Sequence, residues 1–416
     1  MDSIPKHTSL GRRECIPILH TRGTHYEIGF DIGRTFASLI HSFLSIYDPL
    51  NQEVLPVYET PDGKRVYEET LNHCVEHFPQ YVDEIKGTAE GAGVPFHKLF
   101  LLHMEDIVPN VVSQRRGETP EVRQAPVGCS SICVNQPNNE VLSHNEDALH
   151  YVLNHFYLVS AHVISEEPQG RWKVKEEKFT SLCYAGHLPG FTMSYNHHGF
   201  IYSINIINPK HLVSGKTPRY FLTRALLAAE NLMQAQQILR DHGSGSADGI
   251  SVNMTFLNQE GDRLFHNAEI GPALNGASES PLDILTASPG EHIFHTNKYL
   301  RLKNIEEAGG RIIDSSEHRL DALNQFVSPK KCEDVLQMLG DQSDAELPVY
   351  CDSGYVRTIA TGVFDCVKRT WTIYADNPKT HEPLIVIPLQ TNEEIQHLKY
   401  RAFKILFPLN QTWKKK

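Results

Sequence analysis

Residues 125–135, "APVGCSSICVN", join a loop-forming stretch to a run that alternates like a β-strand. Gly128 and Cys129 meet at that junction. The pair is either an ordinary turn entering a strand or the bond at which the chain cuts itself. Downstream, "QPNN" at 136–139 carries turn residues and "EVLSHNED" at 140–147 resumes strand-like alternation, so the two runs read as a hairpin. Asp147 lies 18 residues beyond Cys129 (147 − 129). Alternation along the second strand puts Asn145 and Asp147 on one face and Glu146 on the other. Upstream, "SQRRGETPEVRQAPV" at 113–127 combines charge, two prolines and a glycine, which reads as a linker. It is a poor domain boundary, because a strand begins at once behind it.

A cysteine opening a strand behind a glycine and a slack segment has what an autoprocessing N-terminal nucleophile needs. Glycine offers an unhindered carbonyl. The thiol can add to that carbonyl, and hydrolysis of the resulting thioester severs the chain. The new N-terminus then carries a thiol and an α-amine titrating near ~8, so one residue is both nucleophile and base. A carboxylate such as Asp147 would hold the ammonium or orient the thiol. A turn-capping acid would look the same by spacing alone.

Composition narrows the alternatives. Apolar residues make up 40% and charged residues 21% of the 416-residue chain, values of a folded globular protein. The net charge of −11 argues against a nucleic-acid or anionic-membrane surface. Eight cysteines without a CxxC pair fit a reducing compartment, and neither a signal-peptide core nor a spanning apolar run is seen. A cytoplasmic protein is expected, with Asn253-Met-Thr and Asn410-Gln-Thr as chance matches to the glycosylation triplet. Nucleotide-loop, GxSxG and HExxH signatures are missing, and "GSGSADG" at 243–249 follows a helix and reads as a flexible loop. His144 with His150, and His197 with His198, are better read as exposed or hydrogen-bonded histidines than as metal ligands.

The first hundred residues are mostly helical. Thr24 and Glu27 resemble a capping box, and Gly29 and Gly33, four apart, would let a neighbouring helix come close. Helices are predicted over 66–78, over 79–92 and after Pro95. From Cys129 onward short strand-like runs dominate, broken by helices from 217 to 231, 232 to 241, 316 to 327 and 329 to 339. Consecutive antiparallel strands flanked by helices predict sheets covered by helical layers, an α+β or layered α/β fold.

"GCSSICVNQPNNEVLSHNED", "AGHLPGFTMSYNHHGFIYSIN", "FHTNKYL" and "TIATGVFD" with "WTIYADNP" together resemble the acyl-coenzyme A:6-aminopenicillanate acyltransferase family. The resemblance spans residues 16 to 390 and implies a cysteine Ntn-hydrolase, a four-layer αββα sandwich of two antiparallel sheets. It also implies self-cleavage between Gly128 and Cys129. The products would be a mostly helical fragment 1–128 and a fragment 129–416, held as a heterodimer within one fold. On the same grounds Cys129 is the nucleophile, Asp147 its aspartate, Asn145 the start of the same motif and a candidate substrate-binding residue, and Asn297 an oxyanion donor. An arginine near the nucleophile is expected, with Arg357 the best candidate. Glu146 departs from the family pattern; it is either surface decoration or a partner for a substrate ammonium.

"GRRECIPILHTRGTHYEIGFDIGRTF" at 11–36 looks closest to the insect tan-type hydrolases within that family. The implied reaction is hydrolysis of N-β-alanyl-dopamine to β-alanine and dopamine, with the histamine conjugate as a second substrate. Pigmentation and neurotransmitter recycling would be its settings. The chemistry calls for no metal or organic cofactor. Two alternatives stand beside it: a coenzyme A-dependent N-acyltransferase using the same nucleophile, and a non-enzymatic binding protein on the same scaffold.

Overall fold

In a computed structural model, which describes residues 11–118 and 128–392, the chain opens with a strand and a set of helices. These are β1 (Ile18–Gly23), α1 (His25–Thr35), α2 (Ala37–Ile46), α3 (Leu55–Tyr58), α4 (Pro61–His77), α5 (Pro79–Ala92), α6 (Phe96–Leu102) and α7 (Ile107–Arg115). The hairpin of β2 (Gly128–Gln136) and β3 (Asn139–Leu149) follows, then β4 (Phe156–Ile164), β5 (Glu176–Tyr184), β6 (Met193–Asn196) and β7 (Phe200–Ile207). Helices α8 (Arg219–Leu226) and α9 (Leu232–Arg240) precede β8 (Gly249–Phe256), β9 (Phe265–Ile270), β10 (Leu282–Ala287) and β11 (His292–His295). The described chain ends with α10 (Arg311–Gln325), α11 (Cys332–Leu339), β12 (Val356–Asp365), β13 (Thr370–Tyr374) and β14 (Ile385–Pro388). Most of the linker stretch, the C-terminal lysines and Asn410 lie outside the described residues.

The capping box forms: the Thr24 amide donates to Glu27 Oε2 at 2.8 Å, and the Glu27 amide donates to Thr24 Oγ1 at 3.3 Å. Close helix approach follows from the glycines. A Cβ on Gly29 or Gly33 would come within 2.0 or 2.2 Å of the carbonyl oxygens of Glu84 and Thr88 on α5. Helix α10 starts earlier than its apolar spacing predicts, directly behind Gly310 at φ +78°. Strand β11 was not foreseen; it is a four-residue edge strand paired with β2.

The strands form two sheets, in the orders β1-β4-β5-β6-β7-β8-β9-β10 and β11-β2-β3-β12-β13-β14. All pairs are antiparallel except β1 with β4, so the helical N-terminal part is knitted into the larger sheet by its first strand. Helix α1 packs on β1 and β4, β2 and β3 pack on β7 and β8, and α10 and α11 cover β2, β3 and β11. The layering is helix, sheet, sheet, helix, as expected. Strands inside such a sandwich are covered on both faces, which is why β2 is buried along almost its whole length. Among the described residues no helix is long and apolar enough to cross a membrane.

Candidate active site

The geometry begins with the two-residue turn of the hairpin. Proline fixes the backbone at 137 and Asn138 takes φ +63°, a left-handed conformation that asparagine tolerates. Gln136 then pairs with Asn139, which places Cys129 opposite Glu146, Gly128 opposite Asp147 and Ser130 opposite Asn145. Paired residues share a face. One face, with Ile132 and Val134, packs on Leu323, Val335 and Met338 of α10 and α11. The other looks into the space between the sheets, where Ser131 Oγ donates to Asn205 Oδ1 at 3.0 Å.

On the helix face, Arg319 of α10 reaches the junction. Its Nη1 donates to the Cys129 carbonyl at 2.6 Å and to Ser130 Oγ at 3.0 Å, and its Nη2 donates to Asn297 Oδ1 at 2.8 Å. The same Asn297 oxygen accepts the Cys129 amide N–H at 2.6 Å, while Asn297 Nδ2 donates to the Ile206 carbonyl at 2.9 Å. Asn297 thus grips the Cys129 nitrogen through its oxygen, where the family resemblance led us to expect a donor to an oxyanion. Gly128 is fixed by the same contacts. A Cβ there would lie 2.4 Å from Arg319 Nη2 and 2.7 Å from Asn297 Oδ1, so a side chain and this clasp exclude one another. Asp147 is buried and accepts a hydrogen bond from Thr358 Oγ1 at 2.5 Å. Burial raises its pKa to about 7, against the opposing pull of Arg319 and Thr358. Asn145 is used structurally. Its amide donates to the Leu339 and Val349 carbonyls at 2.8 and 3.0 Å and accepts from Thr361, and it does not line the cleft described below.

On the inter-sheet face the thiol of Cys129 meets Glu146, with Sγ 3.9 Å from Oε1. Tyr184 donates its hydroxyl to the same carboxylate oxygen, and His144 Nε2 lies 3.1 Å from Oε2. His144 is held from behind by Ser131 Oγ, 2.8 Å from Nδ1. Behind these a ladder of asparagines crosses the larger sheet: Asn253 donates to Asn205 at 2.8 Å, and Asn267 donates to Asn253 at 2.8 Å. Burial pushes the Cys129 thiol well above the ordinary range, and the neighbouring carboxylates of Glu146 and Asp147 push it further. The carboxylate nearest the thiol is therefore Glu146 and not Asp147, and Glu146 is buried rather than surface decoration.

Glu146, Asp147 and Arg319 line one wall of a cleft of about 1310 Å³. Its other walls include Tyr47, Tyr184, Phe191 and Tyr220, with the rings of Phe191 and Tyr220 stacked at 3.8 Å. Arg357 is not part of this assembly. It lies on β12, pairs with Ala148 of β3, and its Nε donates to the carbonyl of Gly354 in the preceding loop at 3.4 Å. The arginine beside Cys129 is Arg319. Its signal was present in the sequence, since Ile312, Ser315, Arg319 and Leu323 fall on the buried stripe of α10. An arginine in a core stripe needs a buried partner. The sequence reading also passed over Tyr184, which sits on a fully buried stretch of strand without a motif of its own.

With the geometry in view, comparison with known proteins places the chain. A beta-alanyl-dopamine/carcinine hydrolase of Drosophila melanogaster is similar at 48% identity over 385 residues, covering 91% of this chain and 98% of that protein. Two crystal structures of variants of conjugated bile acid hydrolase from Clostridium perfringens share 10% identity at TM-scores of 0.36 and 0.35. Each covers 64% of this chain and 98% of its own, a likeness too slight to say anything of the site. The family model for acyl-coenzyme A:6-aminopenicillanic acid acyl-transferase matches residues 134–380, a stretch that starts just after Cys129 and holds Asp147, Asn297 and Arg319. On that match and the near full-length relative, the chain belongs to the acyl-coenzyme A:6-aminopenicillanic acid acyl-transferase family.

Proposed function

We propose that this protein is a self-processing cysteine amidohydrolase that cleaves β-alanyl amides, N-β-alanyl-dopamine and its histamine counterpart among them. The observation that carries the reading is the clasp on the Gly128–Cys129 bond. Asn297 holds the Cys129 nitrogen of that bond and Arg319 the Cys129 carbonyl beyond it, while the thiol stands at Glu146, on the edge of the cleft. The substrate class is supported by the Drosophila relative, whose name specifies β-alanyl-dopamine and carcinine.

In the uncut chain the Cys129 nitrogen is an amide and cannot act as a base, which leaves Glu146 as the nearest acceptor for the thiol proton. Sulfur adds to the Gly128 carbonyl, the C–N bond breaks, and water hydrolyses the thioester. That leaves a carboxylate on Gly128 and an α-amine on Cys129. Asn297 Oδ1, already on the Cys129 nitrogen, then holds that amine. Arg319 fixes the Cys129 carbonyl, and Asp147 sets the charge around them.

In turnover the thiolate attacks the substrate amide, the α-amine protonates the departing amine, and water releases β-alanine from the thioester. Extended β-alanine places its ammonium roughly 4 Å from its carbonyl carbon on standard bond lengths. The Sγ-to-Glu146 separation of 3.9 Å suits that span, so Glu146 receives the ammonium, and the aromatic wall of the cleft receives the catechol or imidazole. The eight cysteines are all free, in keeping with a cytoplasmic protein, and the amine products fit pigmentation and neurotransmitter recycling.

Denaturing electrophoresis beside Cys129→Ala tests the reading. Scaled by residue count from 47.1 kDa, 128/416 and 288/416 of the chain run at about 14 and about 33 kDa. The parent yields both bands and releases β-alanine, while the variant stays whole and inactive. Intact parent chain, or an active variant, overturns it. A second reading is favoured by the family's description as an acyl-transferase. In it an amine, rather than water, resolves the thioester, and acceptor-dependent release of coenzyme A from an acyl-coenzyme A distinguishes it.

A further inference from the structure

Cys129, His144 and Glu146 do more than surround a nucleophile. Their ligand atoms, Sγ, Nε2 and a carboxylate oxygen, all lie within 4.8 Å of one another, and all three residues are buried. The hairpin register puts them on one face, with Cys129 opposite Glu146 and His144 two residues along the same strand. We propose that these three side chains form a binding site for a borderline-soft divalent cation, Zn²⁺ above all, which caps the thiol and blocks it reversibly.

Thiolate, imidazole and carboxylate together match Zn²⁺, whereas Mg²⁺ and Ca²⁺ require shells of oxygen. Bond lengths of about 2.3 Å to sulfur and about 2.0–2.1 Å to nitrogen and oxygen set tetrahedral ligand atoms roughly 3.3–3.7 Å apart. His144 Nε2 and Glu146 Oε2 are already at 3.1 Å, and Sγ is 3.9 Å from Glu146 Oε1. No pair of ligand atoms exceeds 4.8 Å, so side-chain adjustment brings the trio around one ion without a change in the hairpin. Outer partners are in place. Ser131 holds His144 Nδ1 at 2.8 Å, leaving Nε2 to face the site, and Tyr184 holds the carboxylate.

Glu146 lines the cleft, which supplies an entry path and a water for the fourth position. On binding, the thiol gives its proton to solvent and its lone pair to the metal, so cation and acyl chemistry exclude one another. The site is assembled with the Gly128–Cys129 bond intact and does not depend on cleavage; only its inhibitory meaning rests on the hydrolase reading.

Cobalt(II) titration of the chelator-treated full chain, cut or uncut, tests the site. One equivalent binds with a thiolate-to-cobalt charge-transfer band in the near ultraviolet, and Zn²⁺ displaces it. Cys129→Ser abolishes the band, while His144→Gln and Glu146→Gln each weaken cobalt binding by about tenfold or more. In the unmutated protein Zn²⁺ also slows alkylation of Cys129, read by peptide mass spectrometry. A band that survives Cys129→Ser, binding unaltered by both other variants, or no band in the unmutated protein overturns the proposal. If cobalt binds as expected but no amide is hydrolysed, the site stands and the functional reading falls.

Discussion

The two faces of the β2–β3 hairpin share their strands and differ in everything else. Toward α10 and α11 the hairpin presents glycine, serine, asparagine and an aspartate, and a single guanidinium joins the Ser130 hydroxyl and the Cys129 carbonyl to Asn297. Toward the larger sheet it presents a thiol, an imidazole and a glutamate, joined to one another rather than to the main chain. The first face holds a bond still; the second surrounds a reactive atom. Alternation of side chains lets one hairpin do both with neighbouring residues, so Glu146 and Asp147, adjacent in sequence, serve opposite sides.

The sharpest test of this division is Arg319→Met. It removes five donated hydrogen bonds, to the Cys129 carbonyl, Ser130, Asn297, Ser315 and Ser316, at a cost of about 1–3 kcal/mol for each acceptor left buried and unpaired. We expect a lower denaturation midpoint and no cleavage fragments; normal fragments from a stable variant would dissolve the distinction between the faces. Glu146→Gln acts on the other side. The amide still accepts from Tyr184, so stability moves little, but hydrolysis of N-β-alanyl-dopamine falls by about 10²–10⁴-fold, as for loss of an acid–base group. A rate within a few-fold of the parent would make Glu146 a bystander.

Asp147→Asn reports on charge at the helix face. The folded-state pKa of Asp147, about 7, stands above its ordinary value of about 3.9, so the folded chain holds this proton more tightly than the unfolded chain. That stabilisation is complete below the unfolded value and is lost as pH rises through 7. Asparagine carries no titration, so the variant gains on the parent between pH 4 and 8 in thermal unfolding. Parallel profiles would show that Asp147 titrates normally. The smallest effect belongs to Arg357→Ala. Stability should stay within about 0.5 kcal/mol and both activities should persist, because the side chain only returns to the preceding loop.

Much of this was legible in the sequence, and the misses have different causes. The capping box, the glycine-paired helices and most strands follow from local spacing, and the layered α+β fold follows from their order. Local spacing also contained the pairing of Cys129 with Glu146, because a two-residue turn at Pro137-Asn138 leaves only one partner for each position. The interval of 18 residues to Asp147 overlooks that pairing, because it measures distance along the chain and not register across the turn. Arg319 and Tyr184 are different. They come to Cys129 through the packing of α10 and β5 onto the hairpin, and no interval along the chain encodes that meeting. Arg357 illustrates the converse, a residue at a plausible interval whose strand aims it elsewhere.

The clasp also has a consequence in time. Asn297 lies 168 positions beyond Cys129 and Arg319 lies 190 beyond. At about 5–20 residues per second, a ribosome finishes Gly128–Cys129 roughly 10–40 s before it delivers the arginine. Through that interval Cys129 has neither its nitrogen nor its carbonyl held by these two side chains. Distance along the chain thus works as a delay: under the proposed self-cleavage, the bond meets its partners only once the sheets that keep both halves together have been made.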